Sequence, residues 1–175
     1  MITADIKDGL QELESLLSHA DWQMADEVTF QIMLATANRR DEGWLDQAAI
    51  AVFPCEILHH LDQSWLFYSS GRFGFSTQLD IYREAVDRST FDFSRQNGWI
   101  WTMNIWRPIG FFNFYSWLIF SIDAPRGHLP ALWFWEMPWY RSWLTGGFGT
   151  GRGGGFGEPS LFDALMLRLE RCQLI

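Results

Sequence analysis

The sequence predicts an all-α assembly of short helices, and three observations carry that expectation. Apolar residues recur at helical spacing through the first half and again near the C-terminus. Cap and turn residues interrupt the pattern before any one helix grows long. Apolar residues make up 48% and charged residues 19% of the 175, which closes a single core and excludes wholesale disorder.

The elements follow in order. Leu10, Leu13, Leu16 and Leu17 share one face of a first helix. A second helix runs from about Trp22 to Ala37, with Trp22, Ala25, Val28, Ile32 and Ala35 inward, and with Asp26 and Glu27 in its first turn, where the helix dipole favours acids. Leu45 to Val52 forms a short third. Pro54 suits the first turn of a fourth, whose inward stripe is Leu58, Leu61 and Trp65 and which Gly71 closes. Phe75, Leu79 and Tyr82 mark a fifth. Within Gly71-Arg72-Phe73-Gly74-Phe75 the glycines permit a tight reversal, and both phenylalanines point to the core. At the far end Pro159-Ser160, followed by Leu161, Leu165, Leu169 and Cys172, reads as a capped amphipathic helix.

Charge and aromatic residues are segregated. Residues 1–88 hold 15 acids and 6 bases, whereas residues 89–175 hold 6 acids and 7 arginines. Eighteen of the thirty aromatic residues lie between Phe91 and Phe148. The chain therefore divides into a helical scaffold over 1–88, an aromatic-rich cleft segment over 89–145, a glycine-rich loop over 146–157 and a C-terminal helix over 159–175. Between Asn97 and Ile122 the helical period dissolves. The longest uncharged run there, Pro108 to Ile122, is 15 residues, shorter than the ~18–20 of a spanning helix. It reads as buried core, a ligand-lining wall or a segment lying on a membrane surface.

Absences narrow the function. A net charge of −8 argues against nucleic acid as a partner. The two cysteines, Cys55 and Cys172, are far apart and give no disulfide framework and no zinc spacing. Their number, with a polar N-terminus lacking the marks of a secretion signal, points to a reducing interior such as cytosol or stroma. Neighbours on a helix point ~100° apart, so His59-His60 cannot chelate one metal from one face. The glycine run lacks the ending of a phosphate loop, and no nucleophile elbow is present. A binding protein is expected rather than an enzyme, with no metal site of its own.

Four strings are specific. They are Asp21-Trp22 with Ala25-Asp26 and Thr29; Phe53-Pro54-Cys55-Glu56 with Leu58, Leu61-Asp62 and Trp65; Ser70-Gly71-Arg72-Phe73-Gly74-Phe75-Ser76 with Gln78 and Ile81-Tyr82; and Asp123-Ala124-Pro125 with Gly127-His128-Leu129-Pro130. In this order and spacing they closely resemble the genomes-uncoupled-four family of tetrapyrrole-binding proteins, over roughly Leu10 to Pro130. The resemblance implies a compact all-α domain forming a cupped apolar palm. It implies protoporphyrin IX or its magnesium complex as ligand, or a linear bilin as in some members. It also implies stimulation of magnesium chelatase in chlorophyll synthesis, with the large chelatase subunit as partner. The setting would be cytoplasm or plastid stroma, peripheral to photosynthetic membranes.

A porphyrin is a flat apolar disc with an anionic propionate edge, so its site needs aromatic walls and basic donors at the rim. Trp99, Trp101, Phe112, Phe120, Trp133 and Trp135 are the candidate walls, with Leu129 beside them. Arg126, Arg107 and Arg141 are candidates for the carboxylates, since a guanidinium offers a bidentate fork. His128 is either an axial ligand to a metalloporphyrin or, on the favoured reading, a side chain that orders its own loop. The chain departs from chelatase-stimulating members over Ala131 to Trp143. There an arginine-bearing helix is replaced by ALWFWEMPWYRSW, broken by Pro138 and with only Arg141 basic. The alternative reading is a helical module that docks a protein or membrane surface through its tryptophans.

Overall fold

The computed structural model describes residues 3–102, 110–138 and 159–174. Its helices are α1 (Ala4–Ser18), α2 (Trp22–Thr36), α3 (Gln47–Ala51), α4 (Cys55–Tyr68), α5 (Phe75–Glu84), α6 (Thr90–Gln96), α7 (Leu132–Trp135) and α8 (Pro159–Arg171). The all-α class holds. Where the helical period dissolves, two three-residue strands, β1 (Ile100–Thr102) and β2 (Gly110–Phe112), form an antiparallel ribbon with Trp101 opposite Phe111.

Each helix begins where local chemistry allows. The Thr3 hydroxyl accepts from Ile6 N at the start of α1, the Asp21 carboxylate from Met24 N at α2, and Asp46 from Ala49 N at α3. Pro54 takes the N-cap of α4, one place ahead of the expected first turn. Pro159 is the first residue of α8, whose Ser160 hydroxyl accepts from Gln47 Nε2. Ile6, Leu10, Leu13 and Leu17 form the buried face of α1, which packs on α2 and α4. Leu58, Leu61 and Trp65 are fully buried, as are Phe73 and Phe75.

Helix α2 departs from the simple one-faced pattern. Phe30, Met33 and Leu34 are buried as well as Trp22, Ala25 and Ile32, because α7 packs on one side of α2 and α1 on another. Asp26 is therefore a buried residue. Its carboxylate serves a different helix, not the dipole of its own.

Whether the two cysteines meet is left open by the sequence, and the structure answers it. Cys55 and Cys172 are joined by a disulfide across 117 positions, with Cα atoms 5.2 Å apart. Helix α8 brings them together by burying Leu161, Phe162, Leu165, Met166 and Leu169 against α3, α5 and α6. Contact between residues so far apart in sequence is a tertiary outcome that spacing alone does not reveal. Among the described residues no helix is long and apolar enough to cross a membrane, and no group of three or more acidic, His or Cys side chains is placed to hold a metal.

Candidate functional site

The loop from Asp123 to Leu132 joins the aromatic segment to the scaffold, and buried polar groups hold it at almost every step. Gln78 of α5 donates from Nε2 to the carbonyls of Gly127 (3.1 Å) and Pro130 (2.8 Å). Arg72 donates from Nε to Ala124 O at 2.7 Å, and Gly127 N donates back to Arg72 O at 2.9 Å. Gly74 N reaches Leu129 O at 3.1 Å. Gly127 has φ +72°, and a Cβ there would lie 2.6 Å from Ile81 Cδ1, so both the backbone and the space call for glycine.

Asp26 completes the loop from the other side. Its Oδ1 accepts from Ala131 N at 2.8 Å and Leu132 N at 3.2 Å, capping α7 from α2, and Oδ2 accepts from Tyr115 Oη at 3.0 Å. Burial drives its pKa up to about 7, against the lowering effect of these donors. One carboxylate thus ties α2, α7 and the Tyr115 segment together. Asp62 of α4 plays a parallel part for α5, accepting from Ser76 N at 2.8 Å and Ser76 Oγ at 3.1 Å, and burial raises its pKa too.

His128 is fully buried and uses both ring nitrogens. Nδ1–H donates to Asn97 O at 2.6 Å, and Nε2 accepts from Ile119 N at 3.0 Å. This tautomer leaves no lone pair for a metal, so the axial-ligand alternative does not fit the ring's placement and the loop-ordering one does. Desolvation lowers its pKa, which keeps the ring neutral.

The expected aromatic walls are placed differently from an open slot. Trp99, Trp133 and Trp135 are fully buried, and Phe112 nearly so. Trp99 stands edge-on to Trp135 at 4.6 Å and to Phe93 at 5.3 Å, and stacks on Phe134 at 5.5 Å. Phe112 lies 5.2 Å from Phe134, and Phe162 of α8 stacks on Trp133 at 6.0 Å. These four rings are a correction to the sequence reading: they form a solid interior, because each indole finds both apolar neighbours and a carbonyl. Trp99 Nε1 donates to His128 O (2.8 Å), Trp133 Nε1 to Pro130 O (3.3 Å) and Trp135 Nε1 to Asn113 O (2.8 Å). Leu129 is buried with them. The side chain of Trp101, and all of Arg107, Arg141 and the 146–157 loop, lie outside the described residues.

In the segment before the loop, three apolar side chains turn outward. Trp117 is 66% exposed, Ile119 51% and Ile122 42%, while Phe120 is half-buried against Tyr115 at 5.2 Å. Ile119 is anchored through its backbone to His128, and Leu118 beneath it is buried. Arg126, on the loop that follows, is about half exposed and paired with Asp80 at 3.3 Å. An exposed ion pair of this kind is weak and exchanges readily for another anion. Sequence reasoning missed Trp117, Ile119 and Ile122, because an apolar run without a period does not say which side chains turn outward. It also missed Asp26, Gln78 and Asn97 as the groups that hold the loop. Asp26 and Gln78 stand in the family-like strings, which was their visible signal, and Asn97 had none.

The comparisons agree with the fold. The family model described as GUN4-like matches residues 4–145. The Ycf53-like protein of Synechocystis sp. (strain ATCC 27184 / PCC 6803 / Kazusa) is 31% identical over 125 residues, covering 69% of this chain and 49% of its own length. A Ycf53 protein of Pyropia yezoensis is 32% identical over 123 residues, covering 69% and 48%. The chain thus spans about half the length of the curated relatives it matches. Ligand-free GUN4 of Arabidopsis thaliana superposes with a TM-score of 0.64 at 21% identity, covering 90% of this chain and 91% of that one. GUN4 of Chlamydomonas reinhardtii gives 0.63 at 21%, covering 90% and 86%. With its helical scaffold, its polar-pinned loop and a family match over most of its length, this chain belongs to the GUN4-like family.

Proposed function

We propose that the chain is a non-catalytic tetrapyrrole-binding regulator or carrier. It takes protoporphyrin IX, magnesium protoporphyrin IX or a bilin, and presents the pigment to a magnesium chelatase through that enzyme's large subunit. It works in the cytoplasm or stroma, peripheral to photosynthetic membranes. One observation of the structure carries the reading: Trp117, Ile119 and Ile122 are exposed in the segment that leads into the loop bearing the half-exposed Arg126, and we take the three together as an apolar ridge. The macrocycle lies on that ridge and half-buried Phe120, and Arg126 leaves Asp80 for a propionate. Trp99, Phe112, Leu129, Trp133 and Trp135 act from behind, by packing, and His128 by fixing Ile119. Burying ~300 Å² of apolar pigment surface at ~25 cal/mol per Å² supplies roughly 7 kcal/mol before the costs of association.

Titration with each pigment, following the Soret band and tryptophan quenching, tests this. Saturation is expected at micromolar pigment. Trp117→Ser and Arg126→Ala each weaken binding, and the fold remains intact because both side chains are exposed. The absence of a saturable shift with any of the three pigments overturns the reading. A second reading rests on the same ridge: indoles favour the interface between water and hydrocarbon, so the ridge docks on a membrane surface. Co-sedimentation with liposomes in the absence of pigment, lost in Trp117→Ser, would favour that alternative.

A further inference from the structure

We propose that the Cys55–Cys172 disulfide is a redox-controlled staple that sets how firmly α8 closes the aromatic core. Through that core it sets the affinity of the pigment surface, a last step that rests on the tetrapyrrole reading above.

The two half-cystines differ in burial. Cys172 is buried, whereas Cys55 is half-buried at the first position of α4. A thiolate of a dithiol reductant attacks the Cys55 sulfur, forming a mixed disulfide and releasing Cys172 as a thiolate that takes up a proton. The reductant's second thiol then displaces Cys55. This chain ends with two thiols and the reductant with one disulfide, so two electrons have passed.

The staple acts on the core through α8. Phe162 is fully buried, 4.4 Å from Phe93, 6.1 Å from Trp99 and stacked on Trp133 at 6.0 Å. Trp99 and Trp133 in turn hold the carbonyls of His128 and Pro130, in the loop behind the ridge. Polar groups hold α8 in place when the bond is cut: Arg168 Nε to Phe53 O at 2.7 Å, His59 Nε2 to Cys172 O at 2.8 Å, and Glu170 with Arg83 and Arg88. The reduced helix therefore stays docked but opens more often, since the covalent limit on its C-terminal end is gone.

Hydrogen exchange read by mass spectrometry on the oxidised chain, and on the chain reduced with excess dithiothreitol, tests this. Thiol titration confirms the two states, and a protoporphyrin IX titration is run on each. The slowest amides of α8 should exchange at least about tenfold faster after reduction, and reoxidation should restore them. Pigment affinity should change several-fold in step. Cys55→Ser should match the reduced form and ignore the reductant. Equal α8 exchange in both forms overturns the staple. Altered exchange with equal pigment affinity overturns the coupling and leaves the tetrapyrrole reading standing. Altered exchange with pigment bound by neither form overturns the tetrapyrrole reading and supports the staple alone.

Discussion

Helices α1 and α4 are held by leucines repeated at helical spacing, whereas the stretch from β1 to α7 is hung on the scaffold by buried polar hooks. In the first region a contact is a matter of apolar volume: Leu13, Leu17, Leu58 and Leu61 fill space and ask nothing specific of their partners. In the second, Asp26, Gln78, Asn97 and His128 each meet particular N–H or C=O groups in a dry interior. The difference teaches that the two regions should respond oppositely to the same kind of substitution.

Volume-conserving changes test this most sharply. Asp26→Asn keeps the shape but replaces one acceptor oxygen by a donor facing Ala131 N, Leu132 N or Tyr115 Oη. It should cost about 2–4 kcal/mol in urea unfolding. Leu13→Met, equally conservative in volume, should cost less than about 1.5 kcal/mol. Equal costs would remove the distinction. Next in size, Trp99→Phe leaves the buried His128 carbonyl unpaired as well as creating a small void. It should cost roughly 2–3 kcal/mol, with a weakened and red-shifted tryptophan emission as the second readout, since a buried indole is the one removed.

Acidity separates the hooks from one another. His128 is held below its ordinary 6.5, so its contribution is complete above about pH 6.5 and is lost as pH falls below it. Asp26 is held above its ordinary 3.8, at about 7, so its contribution is complete below about pH 3.8 and is lost as pH rises through 7. Subtracting the pH–stability profile of His128→Gln from that of the wild type should therefore give a slope of opposite sign to the same subtraction with Asp26→Asn. Like signs would mean that one of the two groups is not in the protonation state assigned to it. The smallest effect belongs to the surface: Arg126→Ala breaks only a half-exposed pair with Asp80 and should change stability by less than about 1 kcal/mol.

These differences also explain how far the sequence could be read. Inward stripes on α1, α4 and α8 were legible because a helix turns its own spacing into a face. The resemblance strings were legible too, and they include Gln78 and the 123–130 loop that the structure pins together. The partner of each hook was not, because Asp26 and Ala131 lie 105 positions apart and no local rule links a carboxylate in one helix to the first turn of another. The tryptophans were legible as a group but not as inside or outside.

Helical class, capping, the central break in periodicity and kinship to the family were determined by the sequence alone, since each depends on residues near one another or on strings in fixed order. Tertiary structure decided the rest. It made Trp99, Trp133 and Trp135 an interior and Trp117 a surface, gave Asp26 to α7, and bonded Cys55 to Cys172. Those outcomes turn on which distant segments exclude water together, and burial of that kind is a property of the assembled chain.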